Sequence, residues 1–159
     1  MIFFPNVIVD SNKVKSLFQM SKTILYRIFQ LGKIPKNARD QIQQEGIILQ
    51  DEGIGGSVTF FKFRAPGKYY GWKRSWFSGS IVLTQEHFLA FQYSKPIIGV
   101  SWDNDKIKKL NCYLENENTL GIEFEASTFN ENWSGNIEVR FSTPLARSFL
   151  EIIQQNIKI

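Results

Sequence analysis

From Gly79 onward, short β-branched and aromatic runs follow one another, broken by small polar links, and they stop at a single capped helix. Residues 79–84 read Gly-Ser-Ile-Val-Leu-Thr, Gln85-Glu86 intervenes, and His87-Phe88-Leu89-Ala90-Phe91 resumes. The end of the chain reads Ser142-Thr143-Pro144-Leu145-Ala146, then Phe149, Ile152, Ile153 and Ile157 at helical spacing. Thr143 suits an N-cap with Pro144 at the first helical position. Successive strands closed by one helix leave few architectures open. The expected fold class is α+β, mainly β, a barrel or sandwich of about seven antiparallel strands capped by a C-terminal helix.

The rest of the chain is consistent with that plan. Residues 47–51 form a short apolar run, and Gly53, Gly55 and Gly56 are expected to break the chain after it. Residues 57–64 and 72–84 are strand-like, with Pro66-Gly67 as the turn between them and Gly79 as a candidate bulge. Residues 87–92 and 95–102 are the next strands. Residues 107–114 and 120–126 flank the polar loop 115–118. Residues 135–141 alternate Ile137, Val139 and Phe141 with Glu138 and Arg140, as a strand buried on one face does.

Before residue 46 the period is helical. Asp10, Ser11 and Asn12 are competent N-caps, and Val14, Leu17, Phe18, Ile24, Leu25, Ile28 and Phe29 mark an amphipathic helix over residues 13–31. Gly32 suits its C′ position, Pro35 bars continuation, and residues 36–44 predict a second short helix. The expected organisation is a helical extension over 1–45 and a β domain over 46–159.

Composition excludes several classes. Hydrophobic residues make up 43% and aromatics 14%, which is incompatible with a disordered chain. The single cysteine, Cys112, allows no internal disulfide and no multi-cysteine zinc site, and is expected as a small buried residue in a strand. The start of the chain lacks a charged n-region and is interrupted by Pro5, so no secretory signal is expected. The expected location is cytoplasmic, with peripheral membrane association.

The strand order and its local motifs resemble the pleckstrin-homology-like superfold, and most closely its GRAM and bacterial PH-like branches. Gly79-Ser80-Ile81-Val82-Leu83-Thr84 followed by Phe88-Leu89-Ala90-Phe91 is similar to a hairpin common in GRAM-type domains. Pro96-Ile97-Ile98 before Val100 and Trp102, and Phe141-Ser142-Thr143-Pro144 before Ala146, Phe149 and Leu150, resemble the strand and final helix that follow. The likeness covers about residues 46–157 and implies a non-enzymatic binding module. No basic motif matches the phosphoinositide signature of PH domains.

Charge locates the candidate surface. The net charge is +4, divided as +7 over residues 1–85 and −3 over residues 86–159. Residues 53–85 contain no acid. Within them Lys62, Arg64, Lys68, Lys73 and Arg74 are interleaved with Tyr69, Tyr70 and Trp72, and with Trp76 and Phe77. Lys and Arg attract phosphate, while Tyr and Trp settle at membrane interfaces or stack on bases. The expected partners are an anionic lipid surface or a protein, bound through Lys62, Arg64, Lys68, Tyr69, Tyr70, Trp72, Lys73 and Arg74. Nucleic acid is a weaker option on the same residues. A structural role, with self-association through the helix at 13–31, is the alternative.

Catalytic readings have little to stand on. His87 is the sole histidine and opens an apolar strand; a Cys112–His87 nucleophile pair has no third member. Glu123 with Glu125 on one strand face, and Asp103 with Asp105 in a turn, could hold a divalent cation only weakly. Gly53-Ile54-Gly55-Gly56 lacks the Lys-Ser/Thr of a P-loop. No catalytic residue, metal or cofactor is expected.

Overall fold

In the computed structural model, residues 32–157 are described; the amphipathic helix expected over 13–31 lies outside them. The elements run α1 (Lys36–Glu45), β1 (Ile47–Ala65), β2 (Lys68–Thr84), β3 (His87–Gln92), β4 (Lys95–Ser101), β5 (Asn111–Asn116), β6 (Thr119–Glu125), β7 (Ser134–Ser142) and α2 (Ala146–Ile157). Short 3-10 turns at Asp105–Lys109 and Ala126–Thr128 join β4 to β5 and β6 to β7. The seven strands form one antiparallel sheet in the order β4-β3-β2-β1-β7-β6-β5. This is the mainly β architecture with a closing helix that the sequence predicts.

β1 makes this order possible. It is a single strand of 19 residues, bonded to β2 along its whole length and to β7 over its second half. The expected break at Gly53, Gly55 and Gly56 does not occur. Gly53, at φ +72, instead takes up a one-residue register shift between Glu52 and Ile54, and pairing with β2 continues on both sides. A glycine is suited to that left-handed backbone, which bends the strand without ending it.

The inner faces of both halves of the sheet meet in one core. Ile54, Phe77, Ile81, Leu83, Phe88, Ile98, Val100, Leu120, Ile122, Val139 and Phe141 belong to it, so strands from opposite edges of the sheet face one another. α2 adds Ala146, Phe149 and Ile153, all fully buried; Leu145, Leu150, Ile152 and Ile157 pack around them at partial burial. That is the face its spacing predicts. The helix proper begins at Ala146, because Pro144 and Leu145 form a turn; the Thr143 hydroxyl still accepts from the Leu145 amide at 3.1 Å.

On the opposite side of the sheet, α1 covers β2 and β3. Ile34 and Ile42 are buried against Val82 and Phe91 in a second, smaller cluster. The region expected as a strand from 107 divides in two. Asn104 accepts a hydrogen bond from the Lys106 amide and starts a 3-10 turn that buries Ile107, and β5 begins only at Asn111. The Asn104 side chain competes locally with strand pairing, which a pattern of apolar residues does not reveal.

Candidate functional site

The acid-free segment folds into the β1–β2 hairpin. Pro66 and Gly67, the latter at φ +73, make its turn, and Ala65 pairs with Lys68 across it. On the β2 side the hairpin is open: β3 pairs with β2 only from Gly79 to Leu83, so among the described residues β2 from Lys68 to Phe77 is paired with β1 alone, while β7 flanks β1 as far as Arg64.

A kink then distributes the side chains. Lys62 has φ +47, and β1 shifts by one residue against β7 between Phe61 and Arg64. Phe60 and Phe63 consequently both turn inward, with ring centroids 4.9 Å apart, whereas strict alternation would set them on opposite faces. Tyr70, paired with Phe63, follows it inward and stacks on it at 5.9 Å.

The eight expected contact residues therefore divide among four places. Lys68, Tyr70 and Lys73 line a cavity of about 660 Å³ on the inner side of the hairpin. The Lys73 ammonium stands 4.3 Å from the Tyr70 ring centroid. Trp72 and Arg74 lie on the outer face, where the Arg74 guanidinium covers the Trp72 ring at 5.6 Å and its Nε donates to Thr59 at 2.9 Å. Arg64 and Tyr69 form the tip, with the guanidinium 5.3 Å over the ring, and Lys62 is exposed at the kink. One surface was expected, and the kink makes two.

Among the described residues the outer face and tip of the hairpin carry the most exposed aromatic groups. Trp76 is 74% exposed, Tyr69 61%, Trp72 60% and Phe61 39%. Phe61 pairs with Trp72, and Trp76 lies two residues beyond Arg74 on the same strand face. Phe61 and Trp76 were not among the expected contacts. Trp76 shares a face with Trp72 by strand alternation, and only the cross-strand register reveals that Phe61 does too.

Beside this aromatic row lies a carboxylate cluster. Glu138 is nearly buried and accepts hydrogen bonds from Arg140 at 3.1 Å and from Tyr113, with Arg74 at 4.0 Å. Arg140 also reaches Glu115 at 3.0 Å. Burial pushes the Tyr113 hydroxyl up to about 12, with the Glu138 hydrogen bond adding to the effect. Burial alone would lower Arg140, but the hydrogen bonds and charge of Glu138, with Tyr113 and Glu115 adding to them, together hold the guanidinium above its ordinary value. Arg140 pairs with Glu138 and Glu115 while its Nε is buried without a hydrogen-bond partner among the described residues, and Arg74, at the edge of Glu138, is the partly exposed cation bordering the tryptophans.

The other candidates lie apart from this surface. The His87 Nδ1 lies 2.9 Å from the Glu45 carboxylate, which also accepts from Thr84 at 2.8 Å and from Gln41 at 3.0 Å, so His87 ties β3 to the end of α1. Glu45, Glu86 and His87 bring ligand atoms within 4.8 Å of one another, a spacing that could hold a metal, but Glu45 is engaged by these hydrogen bonds. Burial pushes the Cys112 thiol up to about 12, which keeps it protonated at neutral pH and a poor nucleophile. Asp105 forms an ion pair with Lys108 at 2.8 Å in the turn after β4, and Glu123 stands opposite Glu138 in the β6–β7 strand register. Among the described residues no helix is long and apolar enough to cross a membrane. Among known proteins, no family model matches this chain and no curated sequence matches it.

Proposed function

We propose that this chain is a non-enzymatic binding module of the PH-like, GRAM-type kind that docks on anionic membrane surfaces through the β1–β2 hairpin. One observation carries the reading. The outer face and tip of the hairpin combine exposed Trp72, Trp76, Tyr69 and Phe61 with Lys62, Arg64 and Arg74, in a segment without a single carboxylate. Indole and phenol rings partition to the headgroup level, and each basic side chain close to anionic lipid contributes about 1 kcal/mol. The seven-stranded sheet closed by α2 supports the resemblance drawn from the sequence.

The test is sedimentation of the full chain with phosphatidylcholine vesicles, with and without phosphatidylserine, at low and at physiological salt. Binding to the anionic vesicles alone, weakened by salt, is the expected result. Absence of binding to either would overturn the membrane reading. It would leave a protein partner for the β2 edge that is unpaired among the described residues, where an added strand could bond.

A further inference from the structure

The cavity behind the hairpin goes beyond membrane docking, because it faces the inside of the sheet while Trp72 and Trp76 face out. Val58, Phe60 and Phe63 form its β1 wall, Ile137 and Val139 its β7 wall, and Trp133 and Phe129 close it from the β6–β7 connection. Ile97 of β4 stands on the other side. Native interiors contain few voids larger than a water molecule, whereas small-molecule sites span about 300–1,000 Å³. At about 660 Å³ this cavity belongs with the sites.

Its polar groups are sparse and of one charge. Lys68 and Lys73 line it together with the amides of Gln92 and Asn130, and no carboxylate does. Among the described residues neither lysine has a carboxylate partner, and Lys73 rests against the Tyr70 ring. A half-open apolar cavity lined by two solvent-exposed lysines without carboxylate partners among the described residues complements a molecule with an apolar body and one anionic end.

We infer that the cavity binds a long-chain fatty acid, its chain among Phe60, Phe63, Trp133 and Ile137 and its carboxylate at Lys68 and Lys73. Binding is reversible and involves no covalent step. Affinity follows chain length, falling about fourfold for each methylene removed. The carboxylate contributes about tenfold or more over an uncharged head, the scale of a hydrogen bond to a charged group.

The experiment titrates the full chain, without vesicles, with the fluorescent fatty acid cis-parinarate, followed by displacement with palmitate, laurate and hexadecanol. Saturable one-to-one binding is expected, with palmitate displacing better than laurate and better than hexadecanol. In the Lys68→Gln/Lys73→Gln chain, palmitate should fall to the level of hexadecanol. Hexadecanol should itself be unchanged, which reports an intact cavity. Failure of the wild-type chain to bind cis-parinarate overturns the inference, as does equal displacement by palmitate and hexadecanol. Because vesicles are absent, either failure leaves the membrane reading standing.

Discussion

The Thr143 hydroxyl donates a 2.7 Å hydrogen bond to the fully buried Asp51 carboxylate, 92 residues away in sequence, and accepts one from the Leu145 amide. One hydroxyl thus joins the first strand to the turn that launches the last helix. Replacing Thr143 with Val removes both bonds inside the core. The expected cost is about 2–4 kcal/mol, from a lost cap and a lost hydrogen bond to a charged group. Thermal melting should record a fall of several degrees, while Thr143→Ser stays close to wild type. Equal melting temperatures for Val and wild type would mean the bond contributes nothing.

Acid should loosen the contact between α1 and β3. Burial alone would raise the Glu45 carboxyl, but hydrogen bonds from Thr84, His87 and Gln41 and the charge of His87 hold it below its ordinary 4.5. A depressed carboxyl adds stability that is complete above the unfolded value and disappears as pH falls through the folded one. Stability should therefore drop below about pH 4.5 more steeply in wild type than in Glu45→Gln. Melting curves across that range check it; parallel curves for the two chains would remove Glu45 from the account.

Gly56 is required by space. A methyl group there would lie 2.6 Å from the Phe77 ring and 2.9 Å from the backbone oxygen of Arg140. The ring has core neighbours, among them Phe141 with centroids 5.7 Å apart, and the β7 backbone is held by strand pairing. Gly56→Ala is expected to destabilise by about 1–3 kcal/mol. Urea unfolding measures this, and a midpoint at the wild-type value would mean that Phe77 can move aside.

The two components of the membrane surface should separate by mutation. Trp72→Ala with Trp76→Ala should weaken binding to anionic vesicles and leave its salt dependence as it was, since the lost contact is apolar. Lys62→Gln and Arg64→Gln should each weaken binding about fivefold and flatten the salt dependence. All these side chains except Arg64's contact with Tyr69 and Trp72's with Arg74 lack ring or ion-pair partners among the described residues, so melting temperatures should scarcely change. A tryptophan double variant that binds vesicles like wild type would exclude the outer face.

Much of the fold was legible because its signals are local. The strand His87–Gln92 begins and ends where its apolar run does, and Pro66-Gly67 marks the hairpin turn. Ile137, Val139 and Phe141 are buried as their alternation requires, and the spacing of Phe149 and Ile153 predicts the buried face of α2. The basic, acid-free character of residues 53–85 was also plain. Those features depend on backbone preference and on a period of two or 3.6 residues, which a short window of sequence contains.

What the sequence alone determined, then, was a run of strands closed by a helix and a basic, aromatic hairpin. Only the tertiary structure decided that β1 passes through Gly53 unbroken, and that Tyr70 and Lys73 face a cavity while Trp72 and Arg74 face out. The reason is the left-handed backbone at Lys62, which shifts the register against β7 and turns Phe63 to the same side as Phe60. Lysine carries no local preference for that conformation; it is held there by pairing with strands distant in sequence.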